Sequence, residues 1–151
     1  MSEILFRGKR IDDYVNDKSI DYAEKGFREW VYGDIIHRRY YKNKDVVVIR
    51  TEDSGFDNYS DYEVDPSTVG QYTGLTDKNG KKIFEGDILK EDDVLHNGET
   101  QIKGRIGTCS FEKGCWVILF KDTWVFLQTN IKACSVVGNI HDNPRLLDQI
   151  E

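Results

Sequence analysis

Apolar residues fall in short runs along this chain, and the runs are rich in β-branched and aromatic types. Turn-forming residues separate them, from Gly70 onward every 8–12 positions, the spacing of a protein built from short strands. Strands are expected over 4–6, over 28–41 with Gly33-Asp34 interrupting, and over the continuous apolar run 46–49. Further strands are expected at 72–75 and 82–90, flanking Thr76-Asp77-Lys78-Asn79-Gly80-Lys81. Asn-Gly is a strong hairpin signal because both residues tolerate positive φ. A hairpin is expected from 101–111 and 115–120 over Glu112-Lys113-Gly114, followed by strands at 124–128 and 135–140. Three polar stretches break the pattern: 11–26, where Tyr14, Val15, Ile20 and Tyr22 keep no period, then 52–60 and 91–99. The first reads as a loop in preference to one helical turn, and the other two read as loops.

Asp65-Pro66 and Asn143-Pro144 pair a helix-capping side chain with a proline at the first helical position. The first predicts a single turn. The second predicts a short C-terminal helix with Leu146, Leu147 and Ile150 on one face. From Gly70 onward, about five short strands occupy roughly 70 residues, which suggests a small closed or partly closed barrel with the helix over one end.

One phrase occurs twice. Trp30-Val31-Tyr32-Gly33-Asp34-Ile35-Ile36 returns as Ile83-Phe84-Glu85-Gly86-Asp87-Ile88-Leu89, with Phe6-Arg7-Gly8 upstream of the first and Tyr72-Thr73-Gly74 upstream of the second. Two similar hairpins are expected, with Gly33, Asp34, Gly86 and Asp87 as structural turn residues. Glycine kinks the strand and aspartate accepts backbone N–H bonds at the bend.

Length allows one domain or two small ones, and 151 residues can bury a core without staples. Charged residues make up 32% of the chain and only 2 are proline, so it is a globular sequence rather than a disordered one. The net charge of −6 argues against a broad nucleic-acid footprint. Cys109, Cys115 and Cys134 are odd in number and lack a C-x-x-C pair, so no disulfide framework or zinc knuckle is indicated. Free thiols fit a reducing cytoplasm. The N-terminal apolar run is too short for a signal peptide. No stretch approaches the roughly 18 apolar residues of a membrane span.

The block 64–89 opens Val64-Asp65-Pro66, continues through Gly70-Gln71-Tyr72-Thr73-Gly74 and Asp77-Lys78-Asn79-Gly80, and closes on Gly86-Asp87-Ile88-Leu89. It closely resembles the YopX-like family of phage and prophage proteins. So do Phe6-Arg7-Gly8-Lys9-Arg10, Trp30-Val31-Tyr32-Gly33-Asp34 and Val136-Val137-Gly138-Asn139-Ile140-His141-Asp142-Asn143-Pro144. The resemblance implies a phage or prophage gene product in a bacterial cytoplasm, with a C-terminal SH3-like β-barrel. It supplies no activity and no site residues. Segment 11–26 departs from the family, whose members often pass directly from the first strand to Trp-Val-Tyr-Gly-Asp.

The expected fold is therefore mainly β. It has a smaller N-terminal β region over 1–65 and an SH3-like β-barrel over 66–151 with a short C-terminal helix. Both a two-unit arrangement and a single packed unit fit this division.

Candidate chemistry is sparse. His37, Arg38, Arg39, Lys42 and Lys44, with Tyr40 and Tyr41 among them, form a basic and aromatic strip that suits phosphate contact and base stacking. Strand alternation would split it between two faces. His37, His96 and His141 have no metal-like spacing, and the 77–81 turn lacks the later acidic ligands of a calcium loop. Gly70 and Gly74 lack the strand–loop–helix context of a phosphate cradle. Trp116 and Trp124 belong to the core or its rim; exposed together, they would mark a partner site. The expectation is a non-enzymatic accessory protein that binds another protein or itself, with no cofactor, metal, membrane or small-molecule substrate. The alternative is a nucleic-acid-binding module using the 37–44 hairpin. A third reading is a hydrolase with no recognisable motif.

Overall fold

The short apolar runs fold as strands in the computed structural model, which describes residues 3–11, 30–40, 44–52, 59–96, 98 and 100–149. Two units are distinct, Met1–Gln71 and Tyr72–Glu151.

In the first unit β1 (Phe6–Lys9), β2 (Trp30–Tyr40), β3 (Lys44–Glu52) and β4 (Tyr59–Val64) pair antiparallel in the order β4-β3-β2-β1. The first residues of β5 (Gly70–Thr76) add to β1 through Phe6↔Gln71 and Arg7↔Gly70. Pairing Ile35 with Ile49, and Val47 with Val64, places alternate residues of three strands on one face. That face carries the core of Val31, Ile49 and Val64, with Phe6, Ile35, Tyr62 and Val69 against it. Full burial of a side chain such as Ile49 contributes roughly 1.5–3 kcal/mol. The Asp65-Pro66 signal makes one 3-10 turn, Pro66–Thr68, with the Asp65 carboxylate accepting from the Ser67 N–H at 3.0 Å. Thr68 Oγ1 accepts the Lys9 N–H at 2.9 Å and so ties the turn to β1.

In the second unit the remainder of β5 pairs with β6 (Lys82–Phe84). Next come β7 (Asp87–Glu91), β8 (Val94–His96), β9 (Thr100–Ile102), β10 (Ile106–Glu112), β11 (Cys115–Leu119), β12 (Trp124–Phe126), the short helix α1 (Leu127–Asn130) and β13 (Cys134–Asn139). Ile83, Leu89, Cys109, Ile118, Leu127 and Cys134 form the core, with Leu75, Trp116, Phe120 and Val125 against it.

Among the described residues the expected SH3-like barrel is not formed. The strands make three open sheets: six strands in the order β4-β3-β2-β1-β5-β6, five in the order β12-β11-β10-β7-β13, and two as β8-β9. Closure of the five-stranded sheet would need its edges to meet. Instead the chain leaves β12 through α1, drops Leu127 into the core, and returns as β13 beside β7 at the far edge.

Other expectations also change. The polar stretch 91–99 contains β8 and leads into the β8–β9 hairpin. Segment 52–60 holds the start of β4, and strand 124–128 gives way to α1 after Phe126. The C-terminal helix is a 3-10 helix, Pro144–Gln149, lying by β10; its Leu146 and Leu147 are half-buried. Residues 12–26 of the polar insertion, Tyr41–Asn43 of the basic strip and Ile150 lie outside the described residues.

Candidate functional site

The β10–β11 turn sets the geometry of the most distinctive surface. Lys113 and Gly114 both have positive φ, 50° and 86°, between paired Glu112 and Cys115. Such a two-residue turn matches the twist of the strands it joins. Alternation then aims Trp116 and Ile118 at the core and turns Cys115, Val117 and Leu119 to the opposite face, where Val117 is itself buried. β12 continues the pattern. Leu119 pairs with Trp124 and Val117 with Phe126, while Val125 packs on the core. Trp124 and Phe126 are 52% and 48% exposed, large values for aromatic residues on a sheet. Their rings meet edge to face at 5.1 Å and 82°. Together these residues line an apolar groove of about 420 Å³, with Glu112 and Lys113 at one end.

Trp116 and Trp124 are thus on opposite faces. Trp116 is half-buried and meets Phe111 at 4.9 Å; Trp124 is the exposed one. Sequence reasoning marked the two tryptophans but missed Leu119 and Phe126. The signal was the alternation Trp124-Val125-Phe126 opposite Val117-Ile118-Leu119.

Cys115 opens into this groove, whereas Cys109 and Cys134 are buried, and burial pushes the Cys134 thiol up to about 11. Native protein is therefore expected to be alkylated at Cys115 alone, with the other two reacting only on unfolding. Mass spectrometry of native and denatured samples checks this. Equal native labelling at Cys134 would contradict the packing.

The basic strip is split, as strand geometry requires. Arg38 donates to Asp61 at 2.5 Å. Arg50 donates to the same carboxylate at 2.8 and 3.1 Å and stacks over Tyr59 at 3.8 Å. Hydrogen bonds from Arg50 and then Arg38 hold the Asp61 carboxyl below its usual range. Arg39, on the other face, meets Asp45 at 3.1 Å, and His37 beside it is exposed. Tyr40 and Lys44 pair through backbone; their side chains, and Lys42, lie outside the described residues.

The duplicated phrase does not fold twice in the same way. Gly33 and Asp34 sit inside the continuous strand β2, and Asp34 is exposed. Gly86 has φ +90° in the turn from β6 to β7, strands of different sheets, and the buried Asp87 accepts the Phe84 N–H at 2.8 Å.

The carboxylate that sequence reasoning undervalued is Asp77. It is buried, and it accepts N–H bonds from Asn79 at 2.8 Å, Lys81 at 2.9 Å and Val136 at 2.8 Å. Burial alone would raise its pKa, but these three bonds outweigh it and leave the carboxyl below its usual range. The Asp-x-Asn-Gly spacing signalled the first two bonds; the third joins residues 59 apart and has no local signature.

A second cleft of about 870 Å³ mixes signs, with Lys90, Lys103, Arg105 and Lys121 beside Asp93, Asp122 and Asp148. Arg105 is already held by Glu91 at 2.6 and 3.0 Å and stacks on Phe120 at 3.9 Å. Among the described residues no three His, Cys, Asp or Glu side chains form a metal-binding group. No helix there is long and apolar enough to cross a membrane. His141 is half-buried near Gly86, and the His96 side chain lies outside the described residues. Gly70 and Gly74 both fall within β5, Gly74 with φ +84°.

A family model described as YopX protein matches residues 21–148. The crystal structure of protein EF1440 from Enterococcus faecalis is similar over 97% of this chain and 99% of that one, with 23% identity and a TM-score of 0.55. At that identity the likeness concerns the fold alone. No curated protein matches the chain.

Proposed function

Because the chain belongs to the YopX family of phage and prophage proteins, we propose that it is a non-enzymatic accessory protein of the bacterial cytoplasm that binds another protein or a second copy of itself. The observation that carries this reading is the apolar groove at the β12 edge, where Leu119, Trp124 and Phe126 stand exposed beside Val117 and Cys115. A neighbouring set of exposed apolar side chains on one sheet face costs solubility unless a partner covers it, and aromatic side chains dominate the energetics of such contacts. The nucleic-acid alternative has less support. Arg38 and Arg50 share Asp61, Arg39 is held by Asp45, and Asp34, Glu52 and Glu63 lie on the same strands.

Affinity capture from host lysate, with and without nuclease, tests the reading. Captured proteins are expected to survive nuclease and to be lost with Trp124→Glu, a surface change that leaves the core untouched. Capture that nuclease abolishes, or that Trp124→Glu leaves intact, would contradict it.

A further inference from the structure

Sheet edges in soluble proteins are normally protected, because their unpaired N–H and C=O groups template pairing with another strand. Here β4 carries Asp61 and Glu63, and β13 is bulged between Val136 and Gly138. β12, Trp124-Val125-Phe126, has no charge, proline or bulge, and its shortness is its one protection.

Its outward groups can be assigned. The Phe120 N–H donates to the Thr123 carbonyl at 2.8 Å. Antiparallel ladders alternate hydrogen-bonded and non-hydrogen-bonded pairs, so Ile118 and Val125 form the next bonded pair. The N–H and C=O groups of Trp124 and Phe126 therefore point away from β11. The Phe126 carbonyl already accepts from Thr129 Oγ1 at 3.0 Å and Asn130 Nδ2 at 3.3 Å. Among the described residues three groups remain to recruit a strand.

Resting on the docking reading above, we infer that the occupant of this edge is a second copy of the chain, its β12 antiparallel to the first. The sequence is self-complementary for that arrangement. A two-fold axis through the facing Val125 residues sets Trp124 against Phe126 of the second copy, twice, and those are the positions with outward backbone groups. Both aromatic pairs then lie on one face and extend the two apolar grooves into one. The seam ends there, because α1 begins at Leu127, and none of its three residues is charged. Such a contact is isologous and closes at two copies. A three-residue seam is well below the roughly 800 Å² per partner of a standard interface, so the dimer is reversible and concentration-dependent.

Sedimentation equilibrium of the full chain over a concentration series is the test. The mass is expected to rise toward twice the 17.5 kDa of one chain. Trp124→Lys with Phe126→Lys places like charges opposite each other at both pairs and is expected to abolish the dimer. Trp124→Lys with Phe126→Glu sets opposite charges there and is expected to restore it. On the unaltered chain, amide protection at Trp124 and Phe126 is expected to grow with concentration, a readout independent of any variant's folding. A single-chain mass at every concentration, a dimer that survives the double lysine change, or a dimer with Trp124 and Phe126 amides unprotected would each overturn the inference. If the wild type stays single while nuclease-resistant capture persists, self-pairing fails and the docking reading stands.

Discussion

Asp77→Ala is expected to lower stability by about 3–5 kcal/mol. The substitution strands three N–H donors, on Asn79, Lys81 and Val136, around a side chain that is 6% exposed. An orphaned buried donor costs about 1–3 kcal/mol, and neighbouring losses do not add fully. The damage is not confined to the turn, because the Val136 bond ties it to β13 and the Lys78 N–H donates to the Cys134 carbonyl at 3.1 Å beside it. Asp77→Asn keeps one acceptor and is expected to lose less. The two variants also separate charge from shape. Because the folded carboxyl lies below its unfolded value, its contribution is complete above the ordinary carboxylate range and fades as pH falls through the folded value. The gap between wild type and Asp77→Asn is therefore expected to be constant near neutrality and to shrink below about pH 4. Denaturant unfolding across that range measures it. An Asp77→Ala protein with an unchanged midpoint would refute the assignment.

Gly33→Ala is expected to be at least as damaging, about 3 kcal/mol or more, for a steric reason. An added Cβ would stand 1.9 Å from the Arg50 carbonyl oxygen and 2.7 Å from its carbon. Both are backbone atoms and cannot rotate away. Nor can β2 retreat, since Gly33 pairs with Phe6 on one side and Asp34 pairs with Arg50 on the other. Relief requires breaking part of a ladder, which places the change among the more severe overpacking substitutions. A Gly33→Ala chain that unfolds at the wild-type denaturant concentration would show that the strands part more easily than their pairing implies.

These two positions also show what the sequence discloses and what it hides. Gly33 and Asp77 were visible as turn or bend chemistry, but their partners, Arg50 and Val136, are distant in the chain. Local signals worked where the contact is local. Asn79-Gly80 and Lys113-Gly114 both turn the chain where expected, each glycine with positive φ. The β10–β11 pair follows its apolar alternation. β8 and the early part of β4 fell in stretches read as loops because polar positions outnumber apolar ones there, and pairing rather than propensity makes them strands. The open sheets were illegible for the same reason. Strand spacing counts strands but does not say which edges meet, and here the chain turns into the core at Leu127 before β12 can find a second neighbour. At the candidate site Trp124 was legible as a residue of interest. Its side of the sheet was fixed only by the register with Leu119.

Cys115 offers the most direct measurement, because its thiol lies within the groove that the docking reading places under a partner. Alkylation of Cys115 in the full-length chain can be timed in dilute buffer and again in lysate of the bacterial host, with a free thiol peptide as the standard for reagent strength. Occupation of the groove predicts slower alkylation in lysate for the wild type and no slowing for Trp124→Glu. Equal rates in buffer and lysate for the wild type at one protein concentration would contradict binding of a host protein at this face.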